Sequence, residues 1–146
     1  MQERRISFLL NDLVRELNGQ ADSLLRHKFD ITYSQFVFLL IVGENSDVDI
    51  TRLALSLGVT KGAVSKRMSW FVERNLVATQ HAPGNSKRVL VTLTDKGASL
   101  AQAAGNFLEA EFLSTIASSP EFDQGILRTE LQKMLELFVS KRSANH

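Results

Sequence analysis

Residues 58–75, GVTKGAVSKRMSWFVERN, have types and spacing suited to recognition rather than to bond making. With successive helical residues about 100° apart, Val64, Met68 and Phe71 fall on one side, while Gly62, Ser65 and Ser69 face away from it with Lys66 beside them. An exposed helix face ordinarily carries long, helix-favouring Glu and Lys side chains. This one is short-sided, with a single long cation among the small residues. A DNA major groove about 12 Å wide admits such a helix, and the residues near its N-terminus do the contacting. Ser hydroxyls can donate or accept at base edges, and Lys66 can reach guanine acceptors or a phosphate. Gly62 also leaves first-turn amides bare for an anion. The candidate reading set is therefore Thr60, Lys61, Gly62, Ala63, Ser65, Lys66, Arg67 and Ser69. Arg67 and Arg74 lie toward the flank, where contacts position a protein on DNA without specifying sequence. A competing reading is a bundle helix whose glycine and serines allow close packing on a neighbour.

Those residues need elements to hold them. Apolar residues from Ile6 through Leu25 keep a helical period, so a long first helix should end near Phe29. Thr32 followed by Gln35 has the form of a capping box, opening a second helix from about Tyr33 to Val42. ITRLALSLG gives a short third helix from Ile50 to a stop at Gly58, with Ala54 as the small residue where two helices cross. Thr60 then caps the fourth helix, quoted above. LVATQ and RVLVTL, rich in β-branched residues, read as a hairpin around a long tip, HAPGNSK. Thr94 and Asp95 cap a fifth helix to about Ala117, and a sixth follows Pro120 with Leu127, Leu131, Met134 and Phe138 on one stripe. Helices three and four form a helix-turn-helix, and the hairpin beside them carries Asn85, Ser86, Lys87 and Arg88, a shape suited to a second groove or backbone.

Charge supports a polyanionic partner. The 146-residue chain has a net charge of only +1, yet residues 60–96 hold seven basic side chains (Lys61, Lys66, Arg67, Arg74, Lys87, Arg88 and Lys96) against two acids, leaving the remainder acidic. There is no cysteine, which suits a reducing compartment. The N-terminal residues read as mature sequence, and the apolar run from Phe36 to Val42 falls far short of the roughly 20 residues that cross a bilayer, so a cytoplasmic protein is expected. No Ser, His and acid grouping, glycine-rich phosphate loop or metal motif is present, which argues against an enzyme. His27, His81 and His146 have no ligand spacing, so neither a metal nor a cofactor is expected.

At this point ITRLALSLGVTKGAVSKRMSWFVERNLV, followed by NSKRVLVTLTDKG, resembles the MarR family of bacterial winged-helix transcription regulators. The motif match covers about residues 31–97, and the helix order matches over the whole chain. Leu93, Thr94 and Gly97 at the end of the wing are its most specific part. The resemblance implies a mainly α fold with a small β-hairpin wing. It makes 1–146 one domain, with a winged helix-turn-helix over about 31–97 and dimerisation helices at 1–30 and 98–146. It further implies a sequence-specific transcriptional regulator, a repressor or an activator, that is a homodimer on a palindromic operator and is often released by a small-molecule effector. Ser34 and Gln35, at the start of helix two, are expected at the DNA backbone. The family's wing usually holds Asp and, two residues on, an Arg that reaches the minor groove. Here Asn85 and Lys87 stand at those places, with Arg88 adjacent. Asn cannot form that ion pair and Lys lacks the planar fork, so either Lys87 or Arg88 takes the groove contact. Tyr33, Phe29 and Phe36 lie where the family's effector pocket forms, although aromatic residues there are more often core than pocket.

Leu9, Leu13 and Leu17 near the start, and Leu131, Met134, Leu135 and Phe138 near the end, exceed what a core of helices two to four and the hairpin can cover. A second copy would cover them, and two-fold symmetry would set the recognition helices about 34 Å apart. The alternative to DNA is a winged-helix module that binds protein, since the fold alone does not fix the partner.

Overall fold

The computed structural model describes residues 3–146. Its elements are α1 (Ile6–Phe29), α2 (Tyr33–Glu44), α3 (Ile50–Leu57), α4 (Lys61–Glu73), β1 (Val77–Ala82), β2 (Asn85–Leu93), α5 (Asp95–Ala117) and α6 (Gln124–Ala144). They fall into two compact units, the first ending at Asn106 and the second formed by Phe107–His146.

In the first unit the caps decide the boundaries. Thr32 and Gln35 close the expected capping box, each side chain accepting from the other's backbone N–H at 3.0 and 2.8 Å. Helix α2 continues past Val42 to Glu44, because nothing breaks it before Asn45. The Asp49 carboxylate caps α3 by accepting from the Arg52 N–H at 2.8 Å. At the other end Gly58 takes the left-handed conformation (φ 67°) that turns the chain out of the helix. Thr60 caps α4 through the Ala63 N–H at 3.1 Å, a device worth about 1 kcal/mol.

The core gathers Phe38, Leu39 and Val42 of α2, Leu53 and Ala54 of α3, and Val64, Met68 and Phe71 of α4, with Leu76, Val77 and Val91 from the hairpin. Phe38 and Phe71 stack with ring centroids 4.1 Å apart, fixing the roll of α4 against α2. Burying Val64, Met68 and Phe71 stabilises that seat by roughly 1.5–3 kcal/mol each. The side of α4 opposite to them is thereby turned to solvent.

The hairpin departs from expectation. HAPGNSK is not one loop: the turn shrinks to Pro83 and Gly84, with Gly84 at φ 73°, and the strands run up to it on both sides. Pro followed by a left-handed Gly fits two central turn residues. Pairing then slips. Ala82 faces Asn85 while His81 faces Val89, so Ser86, Lys87 and Arg88 have no residue opposite them. At the wing's root Thr94 accepts from the Gly97 N–H at 3.0 Å, opening α5, and donates to the Asn75 carbonyl at 2.6 Å. Gly97 is dictated by space. A Cβ there would lie 2.0 Å from the Leu76 carbonyl oxygen.

In the second unit α6 has no buried residue. Asp123 caps it through the Ile126 N–H at 2.9 Å, and Phe112, Leu113, Ile116, Leu127, Leu131 and Leu135 line a groove between it and the end of α5. Leu135 and Phe138 remain 65% and 62% exposed.

Candidate nucleic-acid interface

The exposed side of α4 is built as its sequence requires. Lys61, Gly62, Ser65, Lys66, Arg67 and Ser69 are exposed, and so is the capping Thr60; Ala63 is half-buried and contributes less surface. Close packing does not explain Gly62, because the nearest atom to a Cβ placed there is Thr60 Oγ1 at 3.9 Å. Among the described residues the bundle-helix explanation therefore finds no close neighbour for the residue that most invited it. Ser69 Oγ donates back to the Lys66 carbonyl at 3.3 Å, which leaves its lone pairs outward.

The seven cations of residues 60–96 divide into two groups. Among the described residues, Lys61, Lys66, Arg67 and Lys87 find no hydrogen-bond or ion-pair partner for their side-chain nitrogens. The other three are engaged. Lys96 donates to the Arg74 carbonyl at 3.0 Å. Arg74 donates to the Trp70 carbonyl at 3.1 Å and lies 4.1 Å over the Trp70 ring, so it does not stand out as the flanking backbone contact expected of it. Arg88 pairs with Asp49, Nε to Oδ2 at 2.9 Å, and a second guanidinium nitrogen reaches the Asp47 carbonyl at 3.4 Å.

Of the residues expected at the start of α2, Ser34 is exposed and Gln35 half-buried, the latter with its amide oxygen committed to the capping box. Both line a depression with Thr32, Phe38, Arg67, Trp70 and Phe71. Arg67 thus stands beside the N-terminus of α2, whose Tyr33 and Gln35 amides are already taken by Asp22 and Thr32.

In the wing, Asn85 and Ser86 are exposed with Lys87 and Arg88. Asn85 cannot brace by charge, but its Oδ1 accepts from the Lys87 backbone N–H at 3.1 Å. Asp49 is the residue that sequence reasoning missed. Its Oδ1 caps α3 and its Oδ2 holds Arg88, and the Arg52 N–H, followed by the Arg88 guanidinium, keeps its carboxyl below the ordinary carboxylate range. An Asp directly before an apolar helical run signals the cap. Nothing local signals a partner 39 residues away.

Phe36, one of the three aromatics at the expected effector position, is buried, while Phe29 and Tyr33 are half-buried. The Tyr33 N–H donates to Asp22 at 2.8 Å, tying α1 to α2. Among the described residues no group of His, Asp and Glu is arranged to hold a metal, and no helix is long and apolar enough to cross a membrane.

A capped helix pair crossing at a buried alanine, followed by a two-stranded wing, makes this a winged helix-turn-helix protein by fold. No family model matches the chain. It is 28% identical over 102 residues to the organic hydroperoxide resistance transcriptional regulator of Bacillus subtilis (strain 168), covering 70% of this chain and 69% of that one. Its fold is that of the MarR regulators. The solved apo form of MarR from E. coli matches with a TM-score of 0.78 at 19% identity, over 94% of this chain and 98% of that chain. Streptococcus pneumoniae FabT, solved in complex with DNA, matches with a TM-score of 0.74 at 17% identity, over 95% and 96% of the two chains. The likeness to these two structures is one of fold, and it covers nearly the whole chain.

Proposed function

We propose that the protein is a sequence-specific, DNA-binding transcriptional regulator that acts as a homodimer on a palindromic operator. The observation that carries this is the outer face of α4: small side chains around a glycine with open space beside it, edged by exposed cations with no hydrogen-bond or ion-pair partner among the described residues. A protein-binding face would gain more from apolar residues there, because charged residues are depleted at the cores of such interfaces. Support comes also from the relatives, one described as a transcriptional regulator and one solved with DNA.

Thr60, Lys61, Gly62, Ser65, Lys66 and Ser69 enter the major groove in this proposal, with Ala63 on the inner edge. Arg67, Ser34 and Gln35 meet phosphates, and the wing from Asn85 to Arg88 lies along the adjoining groove. The exposed apolar residues of α1 and α6 supply the contact between copies. A small effector, if the protein has one, would use the half-buried Phe29 and Tyr33 rather than Phe36. No catalytic step is required, and a cytoplasmic location agrees with the partner.

Selection of bound duplexes from a random pool, repeated at two salt concentrations, tests this. The expected product is a two-fold symmetric site with half-sites about one helical turn apart, and an affinity that falls steeply with salt. Enrichment of no sequence over any other would overturn sequence-specific binding.

A further inference from the structure

We propose that Arg88 is a positioning residue that locks the wing to the helix-turn-helix through Asp49, and that Lys87 is the cation the wing presents to DNA. The Lys87 half rests on the DNA-binding function proposed above; the Asp49–Arg88 half stands on geometry alone.

The two side chains are neighbours in a stretch with no cross-strand partners, Ser86 to Arg88, and successive residues of an extended chain point to opposite sides. A register slip of this kind re-aims side chains. Arg88 is aimed inward. Its Nε meets Asp49 Oδ2 at 2.9 Å and its Nη2 meets the Asp47 carbonyl at 3.4 Å. The Asp49 side chain is only 20% exposed, and its other oxygen is already taken by the α3 cap. To reach a phosphate, Arg88 would have to abandon the one ion pair that this half-buried carboxylate makes among the described residues. Backbone contacts reinforce the junction: Asp49 bridges Leu90, and the Val91 N–H donates to the Val48 carbonyl at 2.9 Å. The root of α3 and the outer strand of the wing therefore move as one piece.

Lys87 has the opposite character. Its ammonium has no hydrogen-bond or ion-pair partner among the described residues, while its backbone N–H is held by Asn85. The stem is fixed and the charge is free. A compact ammonium on such a stem suits a phosphate or the negative potential of a groove, and it lacks the fork for bidentate base reading. The wing's contribution is then affinity and placement, with sequence read by α4.

The test uses the full chain with Lys87→Ala, Arg88→Gln, Asp49→Asn and the double variant Asp49→Asn/Arg88→Gln. Asn keeps the helix cap and removes only the charge. Duplexes from the selected pool serve as the probe, with affinity measured across salt concentrations and the thermal midpoint measured without DNA. Lys87→Ala should lower the salt slope by about one and leave the midpoint unchanged. Asp49→Asn and Arg88→Gln should each weaken binding several-fold at unchanged slope, shorten the footprint at the outer edges of the site, and lower the midpoint by amounts that do not add in the double variant. The assignment is overturned if Arg88→Gln lowers the slope by about one while Asp49→Asn tightens binding, since Asp49 would then compete with DNA for the arginine. Additive losses of thermal midpoint would overturn the tie without touching DNA binding. Failure of the unmodified protein to retain any duplex would instead remove the proposed function, and the Lys87 assignment with it.

Discussion

Helices α4 and α6 both turn much of their surface to solvent, and they do so with opposite chemistry. The outer side of α4 shows glycine, two serines and cations, and Val64, Met68 and Phe71 are spent on the core. Helix α6 buries nothing, and it leaves Leu131, Leu135, Leu137 and Phe138 exposed. Exposure alone is uninformative about function, because more than half of any folded surface is apolar. What distinguishes the two faces is which kind of water they would give up. The α4 face loses little by keeping ordered water and exchanging counterions, as binding to a phosphate-lined groove requires. The α6 face gains only by being dried, and a self-complementary copy under two-fold symmetry dries it on both chains at once.

The largest effect should come from breaking the apolar side of this comparison. Leu135→Asp with Phe138→Asp puts four carboxylates into a dimer at positions proposed to be covered. At roughly 1.5–3 kcal/mol per lost side-chain burial, association should weaken by about 6 kcal/mol or more, on the order of ten-thousand-fold. Sedimentation over a concentration series would report it. A chain that stays equally dimeric places the contact elsewhere, and one that is monomeric before substitution removes the homodimer.

Gly97→Ala comes next, and it acts on the frame rather than on either face. Its Cβ would sit 2.0 Å from the Leu76 carbonyl, which is backbone and cannot swing aside. A destabilisation of roughly 3 kcal/mol is expected from overpacking, read as a lower denaturant midpoint. A midpoint unchanged within error would mean that the start of α5 can slide away from the hairpin, and that the wing is less firmly rooted than its hydrogen bonds indicate.

On the polar side, Lys66→Ala should cost about 1–3 kcal/mol of duplex affinity if the residue reads a base, with preference relaxed at that one base pair. Equal loss on every sequence would move Lys66 into the phosphate-contacting set with Arg67. Gly62→Ala is the finer probe. The new methyl meets open space in the free protein, so stability should rise by about 0.5 kcal/mol, as for glycine removed from a helix, while duplex affinity falls. Higher stability with unchanged affinity would show that no partner approaches the backbone at that point.

These residues also mark how far a single sequence can be read. The helix ends were legible because caps are local: Thr32 with Gln35, Gly58, Thr60 and Thr94 each act within a few residues of themselves. The seat of α4 was legible because Val64, Met68 and Phe71 repeat at the helical period. The wing was legible as a hairpin but not in its register, since a slip between His81 and Ala82 depends on which strand residues find each other and not on any one strand's composition. The division of the seven cations was hidden for the same reason. Arg88 meets Asp49 across 39 residues and Lys96 meets Arg74 across 22, pairings that only the folded chain brings about.

The smallest effect should be a pH dependence confined to acid, and it tests whether the polar side of the molecule is held together by charge at all. Asp49 is kept below the ordinary carboxylate range first by the Arg52 N–H and then by Arg88, and Asp22 likewise by the Tyr33 N–H and then by Arg26. A carboxyl whose affinity for protons is lower in the folded state contributes stability that is fully present above its unfolded value, and that contribution is lost as the pH falls toward the folded value. Thermal stability should therefore be flat near neutrality and decline below about pH 4. Asp49→Asn should remove part of that decline while lowering stability at neutral pH, because the variant has no charge to lose. Trp70, the single tryptophan, lies on α4 against Phe71 and under Arg74, so its fluorescence reports that helix directly. An acid transition seen by Trp70 in the unmodified protein and muted in Asp49→Asn would join the wing's ion pair to the seat of α4. The same transition in both proteins would leave Asp22, at the junction of α1 and α2, as the group that gives way.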